Sequence, residues 1–70
     1  MTEVQITGET IKLGQLLKLA GIAGSGSDAK EVLAAEQVFV NGEPETSRGR
    51  QLHPGDVVRV GEDELRVSGS

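Results

Sequence analysis

The run Gly21-Ile22-Ala23-Gly24-Ser25-Gly26-Ser27 is the first place in the chain where residue type and spacing could do chemistry. Gly21 and Gly26 have the separation of the two glycines in the phosphate-cradling loop G-x-x-x-x-G-K-[ST]. That loop needs a lysine after its second glycine, and Ser27 stands there instead. A helical pattern rather than a strand also precedes the run, so nucleotide hydrolysis is not expected. What remains is a helix start with unpaired backbone N–H groups and the hydroxyls of Ser25 and Ser27. These either hold a phosphate oxygen or serve only to cap the helix.

The second suggestive group is Arg48-Gly49-Arg50, two guanidiniums on a glycine-containing segment, each able to make paired bonds to phosphate. Its alternative is ion pairing with Glu43 or Glu45. Lys12, Lys18 and Lys30 fall off the apolar stripes described below, so they face solvent; Lys18 and Lys30 matter for binding only if the fold sets them beside Arg48 and Arg50. Phe39, the single aromatic residue, either stacks on an unpaired base or packs, and packing is favoured in a chain with no Trp or Tyr to spare. His53, Ser27 and Asp28 can be written as a triad, but no nucleophile elbow or oxyanion pocket accompanies them. The carboxylate pairs sit in turn-like segments and read as solvated surface. No enzymatic constellation emerges.

Composition sets the bounds. With 70 residues, one domain is expected over 1–70, burying only about 60% of the surface its unfolded chain exposes. The absence of cysteine, with one histidine, leaves neither disulfides nor an ordinary zinc ligand set, and no cofactor is expected. No apolar run approaches the roughly 18 residues of a membrane span, and the N-terminus lacks the pattern of a signal peptide, so a cytoplasmic protein without a membrane partner is expected. The net charge of −4 weighs against a nucleic-acid partner. Its distribution weighs less: residues 1–9 and 51–70 each carry an excess of two acids, whereas 10–50 balances five bases against five acids. A local cationic face is possible there if folding sorts the charges.

The elements that must do the sorting follow from periodicity. Residues 3–7 alternate, with Val4 and Ile6 on one face, a short strand before Gly8. Leu13, Leu16, Leu17 and Ala20 form one helical stripe, with Thr10 or a neighbour as cap and Gly21 as terminator. Ser27 is the expected N-cap of a second helix whose buried stripe is Ala29, Val32 and Leu33. The period then becomes two: Val38 and Val40 point inward, Phe39 outward, and Asn41-Gly42 is a strong hairpin signal. The polar return 43–52 is expected to be irregular until Leu52 re-enters the core. His53-Pro54-Gly55-Asp56 makes a turn, Val57 to Val60 a strand, and Glu64 to Val67 the last strand, with 68–70 frayed.

Read together, L-x-x-L-L-K-L-x-G at 13–21, S-G-x-x-A-K at 25–30, V-x-V-N-G at 38–42 and E-T-x-x-G-R-x-L-x-x-G-D at 45–56 resemble the S-four domain, the alpha-L RNA-binding motif. The closest likeness is to short bacterial proteins consisting of that domain alone, and it covers residues 11 to about 67. The resemblance implies an α+β fold, two helices packed on a small bent antiparallel sheet of about four to five short strands. It implies an RNA face built from Lys18, Ser25, Gly26, Ser27, Lys30, Asn41, Arg48 and Arg50. It further implies a monomeric, non-enzymatic protein, without a small-molecule substrate, that docks structured RNA of ribosomal or transfer type. The alternative is a protein-interaction module that keeps the fold without RNA. Gly26, Glu31, Ala35-Glu36 and Phe39 depart from the pattern, and the first three weaken a positive face.

Overall fold

The computed structural model describes residues 2–24, 26–35 and 37–69, with Gly26 and Ser27 described in backbone only. Along the chain run β1 (Thr2–Ile6), β2 (Ile11–Lys12), α1 (Leu13–Leu19), α2 (Gly26–Ala35), β3 (Val38–Val40), β4 (Glu43–Pro44), β5 (Gln51–Leu52), β6 (Val57–Val60) and β7 (Asp63–Gly69). The α+β class expected from the sequence is the class observed. Five strands form one sheet in the order β1-β7-β6-β3-β4, while β2 and β5 pair as a separate ribbon.

Alternation decides which face of the sheet is apolar. Val4 and Ile6 of β1, Val38 and Val40 of β3, Val58 and Val60 of β6, and Leu65 and Val67 of β7 are all buried. They join Leu13, Leu16 and Leu17 of α1, Ala29 and Leu33 of α2, and Ile11 and Leu52 of the ribbon in one cluster. The helices therefore cover the side of the sheet that alternation makes apolar. No polar side chain is buried among the described residues.

Local chemistry sets the boundaries. The Asn41-Gly42 hairpin is a two-residue turn with both residues at positive φ, 52° and 86°, flanked by the Val40–Glu43 pair. Only a short polar side chain and a glycine accept that pair of conformations cheaply. Helix α1 ends in a Schellman closure: the Gly21 N–H donates to the Lys18 carbonyl at 3.1 Å and the Ile22 N–H to the Leu17 carbonyl at 3.0 Å. Gly21, at φ 77°, makes this reversal possible. His53-Pro54-Gly55-Asp56 closes with the Asp56 N–H on the His53 carbonyl at 3.0 Å.

Four expectations need correction. The sheet is mixed, because β1 runs parallel to β7, with Val4 opposite Val67 and Ile6 opposite Gly69; alternation gives the same buried face for either strand direction. For the same reason 68–69 are not frayed: Ser68 and Gly69 continue β7, and a side chain at Gly69 would come within 2.8 Å of Pro54. Thr10 does not cap α1. The preceding residues Ile11 and Lys12 are extended, Lys12 is the N-cap, and carbonyls of the return segment accept the free amides. Helix α2 begins at Gly26, which places Ser27 in its first turn rather than at its cap.

Leu52 is fully buried beneath α1 in a strand of only two residues. Replacing it with alanine is expected to cost about 2–5 kcal/mol through lost burial and an unfilled cavity. Urea denaturation followed by circular dichroism should show a much earlier midpoint; an unshifted one would mean that the return segment contributes nothing to the core.

Candidate nucleic-acid interface

The arginine loop is held to α1 by backbone. The Leu13 N–H donates to the Arg50 carbonyl at 2.9 Å and the Gly14 N–H to the Arg48 carbonyl at 3.0 Å. Immediately beyond, Ile11 pairs with Leu52 and Lys12 with Gln51. These bonds satisfy helix-start amides that a side-chain cap would otherwise take. The approach is close: a Cβ on Gly14 would lie 3.4 Å from the Arg48 Cβ. The result is that the backbone of 48–51 is fixed against the start of α1.

Glu45 organises the other half of the loop. One carboxylate oxygen accepts the backbone N–H groups of Thr46 at 3.1 Å and Ser47 at 3.0 Å. The other accepts Arg50 Nη1 at 2.8 Å. The Arg50 hydrogen bond, followed by the Ser47 amide, holds the Glu45 carboxyl below the ordinary glutamate range. Of the two arginines in the triplet, Arg50 is thus bound into the protein's own loop.

Arg48 instead lines an open cleft of about 460 Å³. Its walls are Lys12, Gly14, Gln15 and Lys18 along α1, Ala29 from α2, and Ser47, Arg48 and Gly49 from the return loop. Three of the chain's seven basic residues line this cleft, and among the described residues no acid does. A local excess of positive charge therefore exists on a molecule whose net charge is −4. Exposed ammonium and guanidinium groups around a backbone-lined concavity suit an oxyanion-rich polymer.

The residues expected from the sequence divide. Lys18 and Arg48 are brought together. Lys30 is exposed on α2, next in sequence to Ala29 but outside the cleft lining. Ser25 and the side chain of Ser27 lie outside the described residues, and of Gly26 the structure gives its place at the start of α2. Asn41 is engaged elsewhere: its Oδ1 accepts the Val57 N–H at 2.9 Å and its Nδ2 donates to Asp56 Oδ1 at 3.1 Å. It pins the β3–β4 turn to the start of β6. Phe39 is half-buried on the outer side of the sheet, opposite Pro44 on one strand and Arg59 on the other. Lys12, Gln15 and Ser47 are the cleft residues that sequence reasoning did not single out. The pairing of 11–12 with 51–52 gathers them, and two-residue pairings leave no periodic signal.

Among the described residues no group of three or more His, Cys, Asp or Glu could hold a metal ion, and no helix is long and apolar enough to cross a membrane. Two helices over a mixed sheet, with a return loop clamped to the first helix, define a class that sequence comparison confirms. The S4 domain profile matches residues 4–68, and the chain belongs to that family. It is similar to a protein of Bacillus subtilis (strain 168) described as "Probable ribosome maturation protein RlbA", with 49% identity over 57 residues, 81% of this chain and 80% of the relative.

Asp56 joins the Asn41 turn to the 53–56 turn. Besides Asn41 it accepts the His53 N–H at 2.7 Å. Burial alone would raise this carboxyl, but the His53 amide and the Asn41 side chain outweigh it and hold the group below the ordinary aspartate range. A carboxyl depressed by folding contributes stability above its unfolded pKa and loses it as pH falls through the folded one. Asp56→Asn should therefore cost about 1–3 kcal/mol at neutral pH. The gap between variant and parent should close in acid, below the ordinary carboxylate range. Denaturation at a series of pH values tests this, and a gap of constant size would refute the linkage.

Proposed function

We propose that residues 1–70 act as one S-four-like RNA-binding unit, non-enzymatic and monomeric, that docks structured RNA through the cleft between α1, α2 and the 47–49 loop. The observation that carries this reading is the sorting of charge: Lys12, Lys18 and Arg48 share one concavity, with no acid among the described residues that line it. Phosphate oxygens meet the two ammonium groups and the guanidinium there, while backbone fixes the guanidinium's anchor. Such contacts set register and orientation, and RNA shape sets most of the choice. Lys30 and the start of α2, with Ser25, Gly26 and Ser27, extend the grip at the rim. Arg50 acts indirectly, by closing the loop on Glu45. The resemblance to a protein described as taking part in ribosome maturation favours ribosomal RNA as the target and the cytoplasm as the place.

Each phosphate neutralised should contribute about 0.7–0.9 to the slope of log affinity against log salt, so the three cleft bases alone predict a slope of about 2–3. Lys18→Glu combined with Arg48→Glu should abolish binding to a labelled ribosomal stem-loop while leaving the circular dichroism spectrum intact. Arg50→Gln should leave the salt slope nearly unchanged, since its guanidinium is committed to Glu45. Salt-insensitive binding, or full affinity in the double reversal, would reject the cleft as the RNA site and favour a protein-interaction role for the fold.

A further inference from the structure

A second concavity opens on the other side of Gln15 and Lys18. It has a volume of about 340 Å³ and is lined by Ile6, Thr7, Thr10, Ile11 and Leu19 in addition to those two residues. Its composition differs from that of the cationic cleft. Leu19 is 62% exposed, and among the described residues it is the large apolar side chain left open to solvent. Thr7 and Thr10 are exposed and offer hydroxyls. Gln15 accepts the Lys12 N–H through its side-chain oxygen at 3.4 Å, so its NH₂ remains as a donor toward a ligand. Lys18 supplies a positive charge at the boundary, and among the described residues no acid lines this concavity either.

We infer that this groove is a subsite for a single unpaired nucleotide of the bound RNA. The inference rests on the RNA reading of the neighbouring cleft and adds to it a place for a base. Three features favour a nucleotide. Continuity is the first, because Gln15 and Lys18 line both concavities, so a strand whose phosphates follow Lys12, Arg48 and Lys18 has its next residue at the groove. Matching chemistry is the second: a nucleotide combines an apolar ring face, edge donors and acceptors, and a phosphate, and the groove offers a counterpart to each in Leu19, the threonine hydroxyls with Gln15, and Lys18. Charge is the third, since a groove with Lys18 and no carboxylate among its described lining residues is complementary to an anion. Its size falls within the range of about 300–1,000 Å³ typical of small-ligand sites. Aliphatic contact replaces the aromatic stacking that single-strand binders often use, so the preference it confers is moderate.

The test uses the full chain and two labelled RNAs, a stem carrying one bulged nucleotide and the same stem fully paired. The parent protein should bind the bulged RNA about five- to tenfold more tightly. Leu19→Ser, at an exposed position where folding is undisturbed, should bring that preference below about twofold, with affinity for the paired stem and the salt slope unchanged. Lys18→Ala should weaken both RNAs. In methyl NMR spectra of the parent, the Leu19 resonances should move upfield with the bulged RNA and not with the paired stem, because only a base ring over them produces that shift. Equal affinity for the two RNAs, a preference retained by Leu19→Ser, or an unmoved Leu19 signal would overturn the subsite while leaving the cationic cleft intact. Failure to bind either RNA would instead overturn the RNA reading on which the subsite rests.

Discussion

Two backbone hydrogen bonds, from the Leu13 and Gly14 amides to the Arg50 and Arg48 carbonyls, hold the candidate site together. They link segments more than thirty residues apart in sequence, and they use donors that an α-helix cannot satisfy internally. Because the bonds are made by main chain, they fix where the loop lies through backbone alone. Leu52 supplies the apolar counterpart, fully buried just beyond the clamp. Loss of the clamp would free the Arg48 anchor from the lysines of α1, and the positive charge would disperse over a predominantly acidic surface. Gly14 lies against the loop there, and a Cβ on it would be in van der Waals contact with Arg48.

The turn network does the same for the opposite end of the hairpin. Asn41 accepts from Val57 and donates to Asp56, while Asp56 accepts from His53. One amide and one carboxylate thereby tie the β3–β4 turn to the turn that precedes β6. The motif V-x-V-N-G carries the asparagine for which a binding role is expected, and in the structure that side chain closes the turn. Its positive φ and its three bonds to the 56–57 segment account for the residue type through backbone conformation and turn closure.

What was legible in the sequence is what short-range physics dictates. The leucine stripe of α1, the alternation of Val38 and Val40, the Asn41-Gly42 hairpin, the Gly21 terminator and the Pro54-Gly55 turn each follow from periodicity or from one residue's allowed dihedrals. What was not legible depends on contacts between distant segments. Alternation in β1 shows which face is buried but not whether the strand runs with or against its neighbour, and β2 and β5 are too short to show a period. The arginine triplet illustrates the limit within the site itself. Arg48 and Arg50 look equivalent as sequence, with Glu43 and Glu45 as possible partners for either. The Thr46 and Ser47 amides orient Glu45, and the oriented carboxylate takes Arg50, a choice that the sequence leaves open.

The acidic balance of the chain then has a definite physical meaning. At physiological ionic strength the Debye length is about 8 Å, so a ligand seated in the cleft responds chiefly to the charges that line it. There the lining is cationic. Outside the cleft the remaining four bases are outnumbered by the eleven acids of the chain, so the rest of the molecule carries net negative charge. On the proposed RNA reading, net negative charge disfavours indiscriminate attachment to nucleic acid, an effect greatest at low salt. A basic protein of the same fold would gain affinity for every phosphate backbone alike. Here the sign of the remaining surface sharpens the dependence of binding on the geometry of one cleft, and that geometry rests on the clamp between α1 and the return loop.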